Sequence, residues 1–136
     1  MFVPDKSVPA AQPPMLAGLL KVAATDPKIK GLLQHVGEPH LHITGIDQAR
    51  PWAIAALAHR APVLVVTATG REAEDLSAEL RAMLGEKVAW FPAWETLPHE
   101  RLSPGADIAG QRARILSHIA DYSVVVTAAR GFSQPI

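Results

Sequence analysis

The sequence predicts an α/β fold with an open, mostly parallel sheet of about four strands and helices on its flanks. Apolar runs at residues 63–67, 88–91 and 124–126 are rich in β-branched and aromatic side chains, as strands covered on both faces are. A further strand is predicted at residues 41–45, ahead of a helix at residues 50–60. Single helices between strands imply parallel pairing through right-handed crossovers, and four strands are too few for a barrel.

Capping signals indicate where the helices begin and end. Two short helices are expected ahead of the first strand, and Asp26 is the predicted N-cap of the second. Thr69 and Glu72 have the spacing of a capping box, which predicts a long helix that ends at Gly85. Asp107 is expected to cap the last long helix.

The composition predicts one folded domain in residues 15–136, preceded by a proline-rich arm in residues 1–14. Thirteen basic and thirteen acidic side chains cancel, so no overall positive field attracts nucleic acid. The absence of cysteine excludes disulfides and zinc thiolate sites. No signal segment or membrane span is recognisable, so a cytoplasmic location is expected. The apolar end at Ile136 suggests a boundary within a longer protein.

The turn at residues 44–49 lies where phosphate-loop proteins bind nucleotide, between a strand and its helix. An active loop needs glycines that free backbone amides for phosphate, a lysine, and a hydroxyl that binds magnesium. Aligned on Gly45, this sequence has Asp47 at a later glycine, Gln48 at the lysine and Ala49 at the hydroxyl. The residues leave two interpretations open, a degenerate phosphate loop or an ordinary turn. Neither predicts a catalytic or cofactor-binding residue.

Two histidine pairs are weaker candidates for chemistry. His40 and His42 would share one face of a strand, as metal ligands can, but no third ligand lies near them in the sequence. His99 and Glu100 have the groups for acid-base catalysis, but no nucleophile is placed beside them. Both pairs are interpreted as polar surface residues, and no metal site is predicted.

Four arginines are candidates for a local basic patch. Arg112 and Arg114 lie in the last long helix, with Arg101 before it and Arg130 after the final strand. Contact with nucleic acid phosphates is one interpretation of this patch. A solvated helix face, or contact with another domain, is the other, and the zero net charge favours it.

The segment after the apolar run at residues 88–91 predicts a rigid corner. Residues 91–98 place Trp94 between two prolines directly after a strand, so its ring is expected to fold back onto the sheet. This segment and the helix that follows resemble the N-terminal region of bacterial transcription-repair coupling factors, over a stretch from about Leu16 to the end of the chain. The residues that carry the resemblance are Trp94-Glu95-Thr96-Leu97-Pro98, Ser103-Pro104, Asp107-Ile108, Arg112 and Leu116.

The resemblance implies a fold similar to the first subdomain of the excision-repair protein UvrB, domain 1a. That fold is P-loop NTPase-like, and here its phosphate loop would be degenerate at Gly45, Asp47, Gln48 and Ala49. The chain would stop where the UvrA-binding subdomain begins. The resemblance thus favours the degenerate-loop interpretation of the turn.

For function, the resemblance implies an ATP-dependent DNA translocase that displaces stalled RNA polymerase and recruits nucleotide excision repair. ATP, magnesium, UvrA, RNA polymerase and double-stranded DNA would bind regions outside this chain. The chain itself would be a non-catalytic scaffold that contacts other domains. Two alternatives remain open: a small nucleotide-binding enzyme with an unorthodox loop, using His99 or Asp47, and a stand-alone protein-interaction domain.

Overall fold

A computed structural model describes residues 14–94 and 106–135. Within these ranges, three strands form one open parallel sheet, and the predicted α/β class is confirmed. The strands are β1 (Val63–Thr67), β2 (Val88–Phe91) and β3 (Val124–Ala128). Strand β3 lies in the centre and pairs with both neighbours, so the order across the sheet is β1-β3-β2.

Helices precede, connect and follow the strands. They are α1 (Ala17–Ala23), α2 (Pro27–Gln34), α3 (Arg50–Ala58), α4 (Gly70–Leu84), α5 (Ala106–Ser117) and α6 (Ala129–Ser133). Helix α5 begins at Ala106, so Asp107 is not its cap as predicted. Asp107 lies in the first turn instead, where a carboxylate faces the positive end of the helix dipole. None of the helices in the described ranges combines the length and the apolar character that crossing a membrane requires.

Local hydrogen bonds explain where two of these helices start. Asp26 Oδ1 accepts a hydrogen bond from the Lys28 amide at 2.8 Å and caps α2. At α4, Thr69 Oγ1 accepts from the Glu72 amide at 3.2 Å, and the Glu72 carboxylate accepts from the Thr69 amide at 3.4 Å. This is the predicted capping box. Gly85 ends α4 with a φ of 68°, a conformation that favours glycine.

The core lies between the sheet and α4. Its buried residues from these elements are Ala73, Leu76, Leu80, Met83, Val88, Val124, Val126 and Ala128. Because side chains alternate along a strand, Phe91 and Thr127 point to the face opposite this core. Arg112 of α5 stacks on the Phe91 ring, so α4 and α5 cover opposite faces of the sheet.

The predicted strand at residues 41–45 does not form. These residues are exposed, and no backbone hydrogen bond joins them to the sheet within the described ranges. A cavity of about 350 Å³ is lined by Leu41 and Ile43 together with Val63 and Leu64, so the segment is held apart from β1. A strand depends on a paired neighbour, and residues 41–45 pair with no strand of the described sheet. The predicted four strands are therefore corrected to three in the described part.

Strand β1 is not covered on both faces, contrary to the prediction. The side chains of Val63 and Val65 pack against the core, whereas Leu64 and Val66 are 54% and 47% exposed. Helix α5 packs on β2, at the other edge of the sheet. The face beside β1 is therefore left open to solvent.

Candidate functional site

The predicted phosphate turn at residues 44–49 lacks the backbone geometry of an anion site. Such sites alternate right- and left-handed residues so that successive amides converge on the anion. Gly45 does not have a positive φ, and Asp47–Ala49 form a single turn of 3-10 helix. The Ala49 amide donates to the Ile46 carbonyl oxygen at 3.0 Å, inside the turn itself.

The charged side chains at this turn contact each other. Arg50 Nη2 donates to Asp47 Oδ1 at 3.1 Å, and both side chains are exposed. An exposed pair of this kind adds about 0 to 1 kcal/mol of stability. Its consequence for binding is larger, because Arg50, the cation that directly follows the turn, is paired with a carboxylate.

A cavity of about 940 Å³ lies beside the turn and is bounded by α1, α2 and α3. Its apolar lining consists of Leu19, Val22, Ala23, Ile29, Leu32, Ile43, Ile46, Ala49, Trp52, Ala53, Ile54 and Leu57. Two acidic and two basic side chains also line it, so their charges cancel. A triphosphate is strongly hydrated and needs amide or cationic donors to replace its water. The lining of this cavity therefore suits an apolar partner better than a polyphosphate.

Arg112 lies at the carboxyl end of the sheet, where open α/β proteins bind ligands. Only 2% of it is exposed, which corrects the prediction of a surface patch shared with Arg114 and Arg130; both of those are exposed. The Arg112 guanidinium carbon is 4.3 Å from the Phe91 ring centroid and 4.8 Å from the Trp94 ring. Stacking on two aromatic faces stabilises a buried cation.

Four backbone carbonyls accept hydrogen bonds from the Arg112 guanidinium. Nη1 donates to the oxygens of Pro92 at 2.7 Å and Gly131 at 3.4 Å. Nη2 donates to those of Pro135 at 3.2 Å and Gln134 at 3.5 Å. Burial lowers the pKa of Arg112, yet arginine remains charged because its unperturbed pKa is so high. The partners of this buried cation are therefore backbone carbonyl dipoles, whereas a buried arginine is commonly paired with a carboxylate.

Trp94 contacts Arg112 and residues 134–135, and its predicted packing on the sheet itself stays a prediction. The Trp94 amide donates to Gln134 Oε1 at 2.6 Å, and its indole Nε1 donates to the Pro135 oxygen at 3.0 Å. Thr127 Oγ1 donates to the Phe91 oxygen at 2.9 Å beneath them. The carboxyl ends of β2 and β3 are thus occupied by the chain's own residues.

The histidines do not form a site in the described ranges. His40 and His42 lie in the exposed segment outside the sheet rather than in a strand. No group of three or more histidine or acidic side chains is placed to hold a metal ion in the part of the chain that the structure describes. His99, Glu100 and Arg101 lie outside the described residues.

The burial of Arg112 has a signal in the sequence. Arg112 follows Ile108 by four residues and precedes Ile115 by three, which places it in the middle of the apolar stripe of α5. A charged side chain at a core position indicates partners inside the protein. The spacing of the apolar residues in α5, rather than the charge of its arginines, therefore predicts that Arg112 is buried.

Comparison with known proteins identifies the family. No protein-family model matches the chain. The chain is 44% identical over 139 residues to the transcription-repair-coupling factors of Mycobacterium bovis and Mycobacterium tuberculosis, in alignments that cover 94% of it. It spans only 11% of the length of these relatives. The transcription-repair-coupling factor of Haemophilus influenzae is 39% identical over 56 residues, which cover 41% of the chain and 5% of that protein. The chain belongs to the transcription-repair-coupling factor (Mfd) family and corresponds to its N-terminal region.

Proposed function

We propose that this chain is a non-catalytic module of a transcription-repair-coupling factor that supports the neighbouring UvrA-recruiting region and neither binds nor hydrolyses ATP. One observation carries the proposal. The turn that would hold phosphate presents the Asp47 carboxylate, paired with Arg50, beside an apolar cavity. The names of the relatives support a role in DNA repair coupled to transcription.

The charges at the turn do not favour nucleotide binding. Arg50 is paired with the Asp47 carboxylate at 3.1 Å, so the two charges offset each other and the turn presents no net positive charge to a phosphate. Gln48 supplies no cation and Ala49 no magnesium ligand, so neither side chain compensates.

The whole protein would be an ATP-dependent DNA translocase that displaces stalled RNA polymerase and recruits nucleotide excision repair. ATP, magnesium, DNA, RNA polymerase and UvrA would then bind regions outside this chain. The module would contribute surfaces for packing. Leu19, Val22 and Ile46 support this role, because they are 55%, 66% and 71% exposed around one cavity, and a cluster of exposed apolar side chains marks an interaction surface.

Isothermal titration of the 136-residue chain with Mg-ATP tests the proposal. We expect no heat of binding, because the turn has neither the cation nor the converging amides that a triphosphate requires. An active phosphate-loop ATPase, titrated in the same buffer, serves as the positive control. A dissociation constant in the micromolar range would reject the proposal and favour a nucleotide-binding enzyme with an unorthodox loop.

A further inference from the structure

We propose that Arg112 and Trp94 form a clamp that fixes the path of residues 134–135. The clamp would thereby set the direction in which the polypeptide continues beyond this module in longer members of the family. The clamp is the Arg112 guanidinium together with the backbone and indole N–H groups of Trp94. This inference rests on the proposed function, because a fixed path matters for a scaffold that continues into neighbouring domains.

The clamp joins three parts of the chain that are distant in sequence. Arg112 belongs to α5, Trp94 follows β2, and residues 134–135 follow α6. The Pro135 oxygen accepts from both clamp residues, from Arg112 Nη2 at 3.2 Å and from Trp94 Nε1 at 3.0 Å. The Gln134 side chain accepts from the Trp94 amide at 2.6 Å. Both residues of the segment are thus held by the same two residues, Arg112 and Trp94.

The held segment has no regular structure of its own. Gln134 has φ −82° and ψ 146°, an extended conformation without internal hydrogen bonds. Pro135 lacks an amide donor and restricts the residue before it to extended conformations. An extended segment after a five-residue helix has little to hold it in place except contacts with other elements. In the described part of the chain, the clamp provides them.

Burial of the cation makes the clamp selective for one arrangement. Moving residues 134–135 away would remove two acceptors from a guanidinium that is only 2% exposed, and a buried charge without partners is costly. Helix α6 is also held close to the end of β2. A Cβ on Gly131 would lie 2.7 Å from Thr127 Oγ1 and 3.3 Å from the Ala93 amide nitrogen. The guanidinium and the close packing of α6 both favour the same exit path.

Distances between two spin labels test the clamp in the 136-residue chain. The chain has no cysteine, so Glu79→Cys on α4 and Ile136→Cys can be labelled specifically. Double electron-electron resonance should give a narrow distance distribution in this labelled parent. We expect Arg112→Lys to broaden it, because lysine keeps the charge but not the fork of donors. A flexible segment of four residues has an end-to-end distance of about 11 Å, so the broadening should reach several ångströms.

Two further variants separate the clamp from general stability. Trp94→Phe retains an aromatic ring but loses the indole donor, so we expect a smaller broadening than for Arg112→Lys. Arg114→Ala is the matched control, since Arg114 is an exposed arginine of the same helix, and its distribution should stay as narrow as that of the parent. Circular dichroism establishes that each labelled variant is folded.

The clamp is rejected if the parent distribution is already broad, or if folded Arg112→Lys and Trp94→Phe both match Arg114→Ala. Broadening in the two clamp variants alone supports it. These results are independent of nucleotide binding. Heat of binding with Mg-ATP would overturn the proposed function and would not change the distance distributions. A broad distribution in the labelled parent would overturn the clamp, and the titration would still show no heat of binding.

Discussion

The two halves of the described chain differ in how they use their apolar residues. The sheet half, residues 63–94 and 106–135, buries Leu80, Val124 and Val126 almost completely. The N-terminal half, residues 14–62, has one buried residue in α1, none in α2 and three in α3, none of those three larger than proline. Helices α1 and α3 contact α4. The sheet half therefore supplies most of the core, and the N-terminal half packs onto it through Leu20 and Ala55.

This difference bears on function. The turn at residues 44–49 lies in the N-terminal half, after a segment at residues 41–45 that is paired with no strand in the described structure. An active phosphate loop connects a sheet strand to its helix, which holds the amides in position. Arg112 and Trp94 lie in the sheet half, where buried neighbours hold them. The sheet half thus holds the cluster of Arg112 and Trp94 among buried neighbours, whereas the turn at residues 44–49 lies outside the sheet.

The largest expected effect compares two leucines, one from each half. Leu80 is fully buried in α4, so Leu80→Ala should lower the free energy of unfolding by about 2 to 5 kcal/mol. Leu19 is 55% exposed in α1, and Leu19→Ala should change it by less than about 0.5 kcal/mol. Urea unfolding followed by circular dichroism measures both. Equal losses would mean that the N-terminal half has a core as well packed as the sheet.

A pair of glycines tests the close packing in the sheet half. Gly131→Ala would place its Cβ 2.7 Å from Thr127 Oγ1, and the resulting strain should cost about 1 to 3 kcal/mol of stability. Gly110, in α5, has no atom within 4 Å of such a Cβ. Gly110→Ala should therefore stabilise the chain by about 0.5 to 1 kcal/mol through helix propensity. Thermal unfolding of both variants gives the sign of each change, and stabilisation by Gly131→Ala would contradict the tight contact between α6 and Thr127 of β3.

The sequence predicts the elements whose signals are local. The capping box at Thr69 and Glu72 and the stop at Gly85 depend on neighbours within a few residues, and the structure contains both. The apolar run at residues 63–67 needs only its own composition to be recognised as a strand. Its position at the edge of the sheet is not a local property, and so the exposure of Leu64 could not be predicted from the run alone.

The predictions that the structure corrects depend on contacts between residues that are distant in the sequence. A strand at residues 41–45 required a partner within reach, and the spacing of apolar residues does not reveal one. The environment of Arg112 depends on Pro92, Gly131 and Pro135, which lie 19 to 23 residues away along the chain. The charge of the arginines predicted a surface patch, whereas the apolar stripe of α5 that contains Arg112 indicates burial.

The smallest expected effect compares the side-chain caps of two helices, one from each half. Thr69→Ala removes the capping box of α4, which packs into the core, and should lower the free energy of unfolding by about 1 kcal/mol. Asp26→Ala removes the cap of α2, which contains no buried residue. This helix can open locally, so the global free energy should fall by less than about 0.5 kcal/mol.

Hydrogen exchange separates local from global opening in these two variants. Asp26→Ala should speed exchange of the amides in α2 and leave those of β3 unchanged, because α2 opens without the sheet. Thr69→Ala should speed exchange in β3 as well, since α4 and β3 share the core. If Asp26→Ala also speeds exchange in β3, the two halves unfold as one cooperative unit. The N-terminal half would then be as integral to the core as α4, and the cavity beside the turn at residues 44–49 would be a rigid feature of the fold.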